Sequence, residues 1–201
     1  QNKTMPQEEE HFSAHQSLAI IESMIQKAQN RFSENGTLYL LWGWVIFICC
    51  TFHYTLLTIT QNQIWGNIWA LTIVAVLYQF YFLFKKNKKK AVRTYTDDII
   101  SGVWSCFGIV MGIASFIMYK LGSWSLLYSF ILLFYGIPTF LSGIIMRFKP
   151  LIIGGICCWI LSIISVFVQT KEILLLLAPA VLSAWIIPGY LLKAKYNQQN
   201  G

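Results

Sequence analysis

The chain has 201 residues, of which 56% are hydrophobic, 16% are aromatic and only 11% are charged, and its formal net charge is +7. A mean hydropathy of +0.57 with so few charges excludes an ordinary soluble domain and indicates an integral membrane protein. The basic balance therefore indicates a membrane surface as the partner and not nucleic acid, because the sequence resembles no nucleic-acid-binding module.

The first 35 residues are the polar part of the chain. Residues 1–11 include three consecutive glutamates, and we predict that they are disordered. In residues 12–34, apolar side chains recur at alternating spacings of three and four, which predicts an amphipathic cytoplasmic helix. The recurring residues are Leu18, Ile21, Ile25, Ala28 and Phe32. We expect this helix to lie on the membrane surface or beneath the bundle; the alternative is that it binds a protein partner.

Six segments without Asp, Glu, Lys or Arg follow. They are residues 37–60, 64–84, 99–119, 124–146, 150–169 and 173–192. Each has about 20 residues or more, which at roughly 1.5 Å per helical residue is enough to cross a hydrocarbon layer of about 30 Å. Their apolar character is continuous, whereas the strands of a membrane barrel alternate, so the segments are predicted to be helices.

Short connections between most of these segments make neighbouring helices antiparallel. The predicted fold class is therefore all-α, with six transmembrane helices in three antiparallel hairpins plus the N-terminal amphipathic helix. Residues 37–192 form the predicted transmembrane domain, and residues 193–201 form a cytoplasmic tail.

Lys and Arg are distributed unequally between the two sides of this arrangement. Thirteen of the fifteen fall on one side, and Lys120 and Lys171 fall on the other. Because short loops rich in Lys and Arg stay in the cytoplasm, both termini are predicted to be cytoplasmic and the location to be the inner membrane. The densest group is predicted to contact anionic lipid headgroups as well. It consists of Lys85, Lys86, Lys88, Lys89, Lys90 and Arg93.

Two segments carry stripes of small residues that would let another helix approach closely. The third segment has Ser101, Ser105, Gly108, Gly112 and Ser115. The fifth segment has Gly154, Cys158, Ser162 and Ser165. Both stripes are candidates for the inner seam of the bundle, and the partner of each stripe lies either in this chain or in a second copy of it.

Residues that could support chemistry inside the membrane are scarce. His53 is the one such side chain within the six apolar segments. We interpret it as a neutral ring near the outer water interface, and the alternative is a role in ligand binding or proton transfer. The five cysteines lie in apolar segments without metal-site spacing and are predicted to be packing residues. No catalytic residue, cofactor or metal ion is predicted. An enzyme would require His53 or the adjacent pair Asp97 and Asp98 to face a water-filled pocket.

Prolines interrupt two of the predicted helices: Pro138 in the fourth segment, and Pro179 and Pro188 in the sixth. An internal proline removes a helical hydrogen bond and kinks the helix, so the kinked helices could border a cavity. The residues predicted to line a small-ligand cavity are Tyr135, Pro138, Thr139, Ser183 and Pro188. The alternative is that the kinks serve helix packing alone.

Three stretches, LYLLWGWVIF, ILLFYGIPTFLSGIIMRFKPLIIGGICCWIL and IIPGYLLK, resemble a group of bacterial six-span membrane proteins of unknown function. The glycine spacing in FGIVMG and FYGIPTFLSGI is similar to that of acid-resistance membrane proteins of the HdeD type. These resemblances imply a six-helix bacterial membrane protein and carry over no catalytic residue.

The predicted function is that of a non-enzymatic inner-membrane protein, either a partner-binding membrane subunit or a protein of envelope stress. Whether the chain forms a homo-oligomer is left open by the sequence. The alternative is a small-solute transporter or a substrate-binding membrane component, with its site near the proline-broken fourth and sixth helices.

Overall fold

A computed structural model describes residues 36–60, 63–89, 95–122 and 124–200, and these are almost entirely helical, with no strand among them. The all-α class is therefore confirmed for this part of the chain. The predictions for residues 1–11 and 12–34 concern segments outside the described residues.

The helices follow the predicted segments closely. In chain order they are α1 (Thr37–Thr60), a 3₁₀ segment (Gln63–Ala70), α2 (Leu71–Lys89), α3 (Tyr95–Leu121), α4 (Trp124–Ile145), α5 (Lys149–Ser165), α6 (Thr170–Val181), a π-helical segment (Leu182–Ile186) and α7 (Ile187–Asn200). Five helical stretches are long and apolar enough to cross a membrane, and the shorter apolar α5 is a sixth candidate. These lengths are compatible with a membrane helical bundle.

Helices α4 and α5 form an antiparallel pair, joined by a tight turn. Arg147 adopts the left-handed conformation with φ +49°, the Phe148 N–H donates to the Gly143 carbonyl at 2.8 Å, and the Arg147 N–H donates to the Ile144 carbonyl at 3.0 Å. This pattern is the Schellman motif, which satisfies the last carbonyls of a helix. Pro150 then starts α5 at a position where a missing N–H costs nothing.

Glycines set the closest approaches between helices in the centre of the bundle. A Cβ atom at Gly154 of α5 would lie 2.5 Å from the Ser183 carbonyl oxygen in the π segment. A Cβ atom at Gly43 of α1 would lie 2.7 Å from the Ile186 side chain. Helices α1, α4 and α5 and the continuous α6–π–α7 stretch therefore pack backbone to backbone, and we call these four elements the central helices.

Helices α2 and α3 lie at the edge of this group. Among the described residues, the backbone of α2 comes close to α1, that of α3 comes close to α4, and neither approaches a further helix. Only 6% of the most apolar stretch of each is buried, against 44% for α4 and 61% for the stretch from α6 to α7. Most of the apolar surface of α2 and α3 is therefore left to lipid or to another protein.

The two small-residue stripes also differ in how far they are buried. In the fifth segment the prediction is confirmed, since Gly154, Cys158 and Ser165 are buried and the Ser162 hydroxyl donates to the Ser129 carbonyl of α4.

The stripe on α3 does not lie in the inner seam of this chain. Ser101 and Ser105 are exposed, and a Cβ atom at Gly108 or Gly112 would have no neighbour within 4 Å. α3 meets the rest of the bundle through the aromatic rings of Trp104 and Phe107, which contact Tyr39, Trp185 and Tyr135. Packing of this stripe against a second copy stays a prediction.

Candidate functional site

Two of the residues predicted to line a cavity, Tyr135 and Thr139, contact one aromatic side chain, Trp185 in the π segment. Thr139 is fully buried, Tyr135 is 6% exposed, and both belong to α4, as does the buried Pro138. Pro188 is also buried and follows Trp185 by three residues, at the start of α7. Ser183 lies in the π segment itself and is half-buried.

Rings from four elements meet at this place. The Trp185 ring lies 4.5 Å from that of Tyr135 and 6.0 Å from that of Trp104, measured between centroids. Trp104 in turn meets Tyr39 of α1 edge to face at 5.6 Å, and Phe107 lies 5.9 Å from Tyr135. We call these five residues the aromatic cluster. Each such pair contributes about 0.5–1.5 kcal/mol beyond the burial of its area.

Two indole N–H groups and two hydroxyls of this region are hydrogen-bonded within the protein. The Trp185 Nε1–H donates to Thr139 Oγ1 at 3.0 Å, and the Thr139 hydroxyl donates to the Tyr135 carbonyl at 2.7 Å. The Trp104 Nε1–H donates to Ser142 Oγ at 3.2 Å, and the Ser183 hydroxyl donates to the Ala180 carbonyl at 3.0 Å. Buried polar atoms need such partners, and here the hydroxyls of Thr139 and Ser183 find them within the protein.

Trp159 of α5 binds the α4 backbone close to Pro138. Pro138 has no N–H and cannot bond the Phe134 carbonyl, so the α4 backbone is interrupted there. One residue earlier, the Leu133 carbonyl accepts a hydrogen bond from Trp159 Nε1 at 3.2 Å. Gly136 makes room for this ring, because a Cβ atom would collide with the Trp159 indole.

The π segment was not predicted from the sequence. Within it the hydrogen bonds reach one residue further back than in an α-helix, as the bond from the Ile187 N–H to the Leu182 carbonyl shows. Pro179 and Pro188 flank this segment. These two prolines inside one predicted helix were the sequence feature that could have indicated a departure from α-helical hydrogen bonding. Trp185, which fills the centre of the candidate site, carried no signal in the sequence, since nothing distinguishes it from the other seven tryptophans.

His53 belongs to a second polar contact, near the other end of α1. Its ring is 7% exposed, and its Nδ1 accepts a hydrogen bond from Trp69 Nε1 of the 3₁₀ segment at 3.0 Å. In a neutral imidazole with Nδ1 as acceptor, the proton is on Nε2. The ring is thus enclosed by protein, and its position near the outer water interface stays a prediction. The sequence could not indicate the partner because the two residues come from different elements.

The cysteines and the possible metal ligands form no centre in the part of the chain that the structure describes. Cys49, Cys50 and Cys158 are buried thiols, whereas Cys106 is exposed. Over the same residues, no group of three or more His, Cys, Asp or Glu side chains comes together.

The predicted headgroup-contacting cations occupy the end of α2 and the connection after it. Lys85 is exposed, with its Nζ 6.0 Å from the centre of the Tyr81 ring. The side chains of the other five, Lys86, Lys88, Lys89, Lys90 and Arg93, lie outside the described residues. Their contact with lipid stays a prediction.

Comparisons of the chain with protein-family models, with curated proteins and with solved structures found no match. The resemblances to bacterial six-span proteins and to HdeD-type proteins are therefore still predictions. The function has to be argued from the residues and their geometry.

Proposed function

We propose that this chain is a non-enzymatic, multi-pass protein of a bacterial inner membrane that binds a protein partner, as a membrane subunit or in envelope stress. In this proposal six helices cross the bilayer as three hairpins, and both termini are in the cytoplasm. The separation of thirteen cations from Lys120 and Lys171 supports this orientation. Contacts between α1 and α2, between α3 and α4, and between α5 and α6 support the hairpins.

The observation that carries the proposal is how the residues predicted to line a cavity are hydrogen-bonded and packed. A solute site needs polar groups that are available to the solute. Here the hydroxyl of Thr139 both donates and accepts within the protein, and the Trp185 ring packs against Tyr135. These groups are engaged within the protein, which supports a role for the central helices as a scaffold and not as a solute site.

The outer helices supply the surface for a partner in the membrane. α3 exposes Ile109, Ile113 and Phe116 to more than half of their full extent, and the small-residue stripe runs along the same helix. A partner helix could approach closely along such a stripe. In the sequence, residues 12–34 supply a further predicted binding surface, outside the described residues.

Affinity capture from bacterial membranes in mild detergent tests this proposal. The full chain is expected to recover a defined partner, and Ile21→Glu together with Ile25→Glu is expected to lower the yield at least about fivefold. The matched control is Gln26→Glu with Gln29→Glu, which adds the same charge off the apolar stripe. If the full chain recovers only itself in repeated captures, the partner-binding role is wrong.

A small-solute site is the second candidate, and one observation favours it. The predicted cavity residues do converge on a π segment, and such segments occur frequently at functional sites. Binding would require the Trp185 ring to move out of the aromatic cluster. Saturable uptake of a solute by vesicles that contain this chain, lowered in the Tyr135→Phe variant, which removes a predicted ligand hydroxyl but keeps the ring, and retained in Trp44→Ala, would favour this candidate over the first.

A further inference from the structure

His53 of α1 is enclosed by the 3₁₀ segment that precedes α2. Its ring is 7% exposed, and its Nδ1 accepts the hydrogen bond from Trp69 Nε1 at 3.0 Å. At the other nitrogen of the ring, a Cβ atom at Gly66 would lie 4.0 Å from Nε2. The 3₁₀ segment therefore lies near both nitrogens of the imidazole and is bonded to one of them.

The bond between Trp69 and His53 can form only while the imidazole is neutral. An indole N–H donates and cannot accept, so His53 has to supply the acceptor. A neutral imidazole has one acceptor nitrogen, whereas both nitrogens of the imidazolium carry a proton and donate. Turning the ring over gives no acceptor in the charged form, because it exchanges one N–H for the other. Protonation of His53 therefore removes this bond and brings two donors face to face.

Two further contacts of the 3₁₀ segment lie beside this bond. The Cys49 thiol donates to the Ile68 carbonyl at 3.5 Å, and the Trp69 ring lies 6.3 Å from that of Tyr128 on α4. A thiol is a weak donor, so the Trp69 N–H makes the stronger of the two hydrogen bonds. The segment leads directly into α2, and a stretch of 3₁₀ helix often marks a hinge. Loss of the Trp69 bond is thus expected to loosen the segment and the start of α2.

The elements around this end of α1 bring few ionisable side chains. The 3₁₀ segment has none, and α6, which packs on α1, has Lys171 and Glu172 in its first turn. The others are Cys49, Cys50 and Tyr54 of α1, Tyr78 of α2 and Tyr128 of α4. Thiols, phenols and ammonium groups ordinarily keep one charge state between about pH 4.5 and about pH 7.5. Glu172, whose Oε2 accepts from the Gln169 N–H at 3.3 Å, is therefore the group that a test has to separate from His53.

We propose that His53 and Trp69 form a pH-sensitive latch between α1 and the 3₁₀ segment, closed while His53 is neutral and opened when its Nδ1 takes up a proton from water. The proton adds to the lone pair that accepts the Trp69 N–H, and this hydrogen bond is the one that breaks. Opening frees the 3₁₀ segment, in which Asn67 and Ala70 are already exposed. The latch is a regulatory device that depends neither on the partner-binding role nor on the orientation of the helices in the membrane.

Nuclear magnetic resonance of the full chain in detergent, with nitrogen-15 in its tryptophans, tests this proposal. The indole N–H resonance of Trp69 is identified as the one that Trp69→Phe removes. Between about pH 7.5 and about pH 4.5, a range that includes the ordinary titration of an imidazole, this resonance should move upfield along one titration curve. The resonances of Trp185 and Trp104 should stay in place, because their acceptors are the hydroxyls of Thr139 and Ser142.

Two variants separate His53 from the other group that titrates in this range. His53→Asn keeps an acceptor close to the position of Nδ1 but cannot gain a proton, so the Trp69 resonance should no longer depend on pH. Glu172→Gln is the matched control, and the titration of the Trp69 resonance should persist in it.

The free energy of unfolding gives a second measure. Trp69→Phe should raise the unfolding equilibrium constant by a factor that is about fivefold larger at about pH 7.5 than at about pH 4.5, which corresponds to about 1 kcal/mol for one hydrogen bond. The control is Trp44→Phe, whose indole donates to the Tyr190 hydroxyl, and its factor should be the same at both pH values.

Three results would overturn the proposal. A Trp69 resonance that stays in place down to about pH 4.5 would show that the bond is kept throughout. A shift that persists in His53→Asn, or that all the indoles share, would show a general loosening of the bundle. A shift that disappears in Glu172→Gln would assign the effect to the start of α6. If His53→Asn is recovered aggregated, the original chain decides, by comparison of Trp69 with Trp185 in one spectrum.

Discussion

Glycines on α5 and on α3 occur in similar sequence settings but have opposite environments. Gly154 lies against the backbone of the π segment, whereas Gly108 and Gly112 have open space around them. Both helices are apolar, and both carry small residues at helical spacing. The comparison shows that a stripe of small residues permits close packing but does not reveal whether a neighbour in the same chain uses it.

The same contrast extends to whole helices. The central helices are held by the aromatic cluster, by indole hydrogen bonds and by glycine contacts. Within the described residues, the backbones of α2 and α3 each come close to one other long helix, and α3 reaches the aromatic cluster only through the rings of Trp104 and Phe107. Substitutions in the central helices should therefore be costly, and equivalent substitutions on the outer helices should be tolerated.

The largest effect is expected for Trp185→Ala, which removes a ring that is 2% exposed and contacts two other members of the aromatic cluster. Removing a buried aromatic side chain costs about 3–5 kcal/mol of unfolding free energy. The control is Trp44→Ala, since that ring is 42% exposed. Unfolding in detergent, followed by heat or by denaturant, measures both, and equal losses would mean that Trp185 is not part of a packed centre.

A somewhat smaller loss is expected for Gly154→Val, about 3 kcal/mol, because the new side chain meets the backbone of Ser183 and Ala184, which cannot rotate away. Gly108→Val makes the same chemical change on α3 and should cost less than about 0.5 kcal/mol by the same measurement. If Gly108→Val is the more harmful of the two, a second copy packs on α3 and the outer helices are not free surfaces.

Thr139→Val should cost about 2 kcal/mol, because it leaves the buried Trp185 N–H without an acceptor. Thr139→Ser keeps the hydroxyl and should retain most of the stability. Combined with Trp185→Phe, which has no N–H, the valine substitution should lose most of its effect. An unchanged cost in that double variant would show that the hydrogen bond is not the source.

The smallest effect is expected for Trp69→Phe, about 1 kcal/mol, through loss of the hydrogen bond to His53. In a chain that already carries His53→Phe, the further loss should be close to zero, because the acceptor is gone. The free energies of unfolding of the four chains form a double-mutant cycle, and a coupling near zero would argue against this contact.

Much of the helical arrangement could be predicted because it depends on local composition. The fourth segment, predicted as residues 124–146, is Trp124–Ile145 in the structure, and the first is Thr37–Thr60 as predicted. The 3₁₀ and π segments were missed, since both are small departures from α-helical hydrogen bonding that composition does not specify. Of the candidate site, the prolines and the hydroxyls were found, and Trp185 and Trp104 were not.

The sequence by itself determined that the chain is helical and suited to a membrane, because charge is absent from six long segments and a helix satisfies its own backbone bonds there. Only the tertiary structure decided which helices are central, that the Trp185 ring packs against Tyr135, and that Trp69 bonds to His53. The physical reason is that lipid is as apolar as the interior of the bundle. Hydropathy therefore does not distinguish an inner face from an outer one, and the distinction rests on ring contacts, indole hydrogen bonds and glycine approaches between residues far apart in the chain.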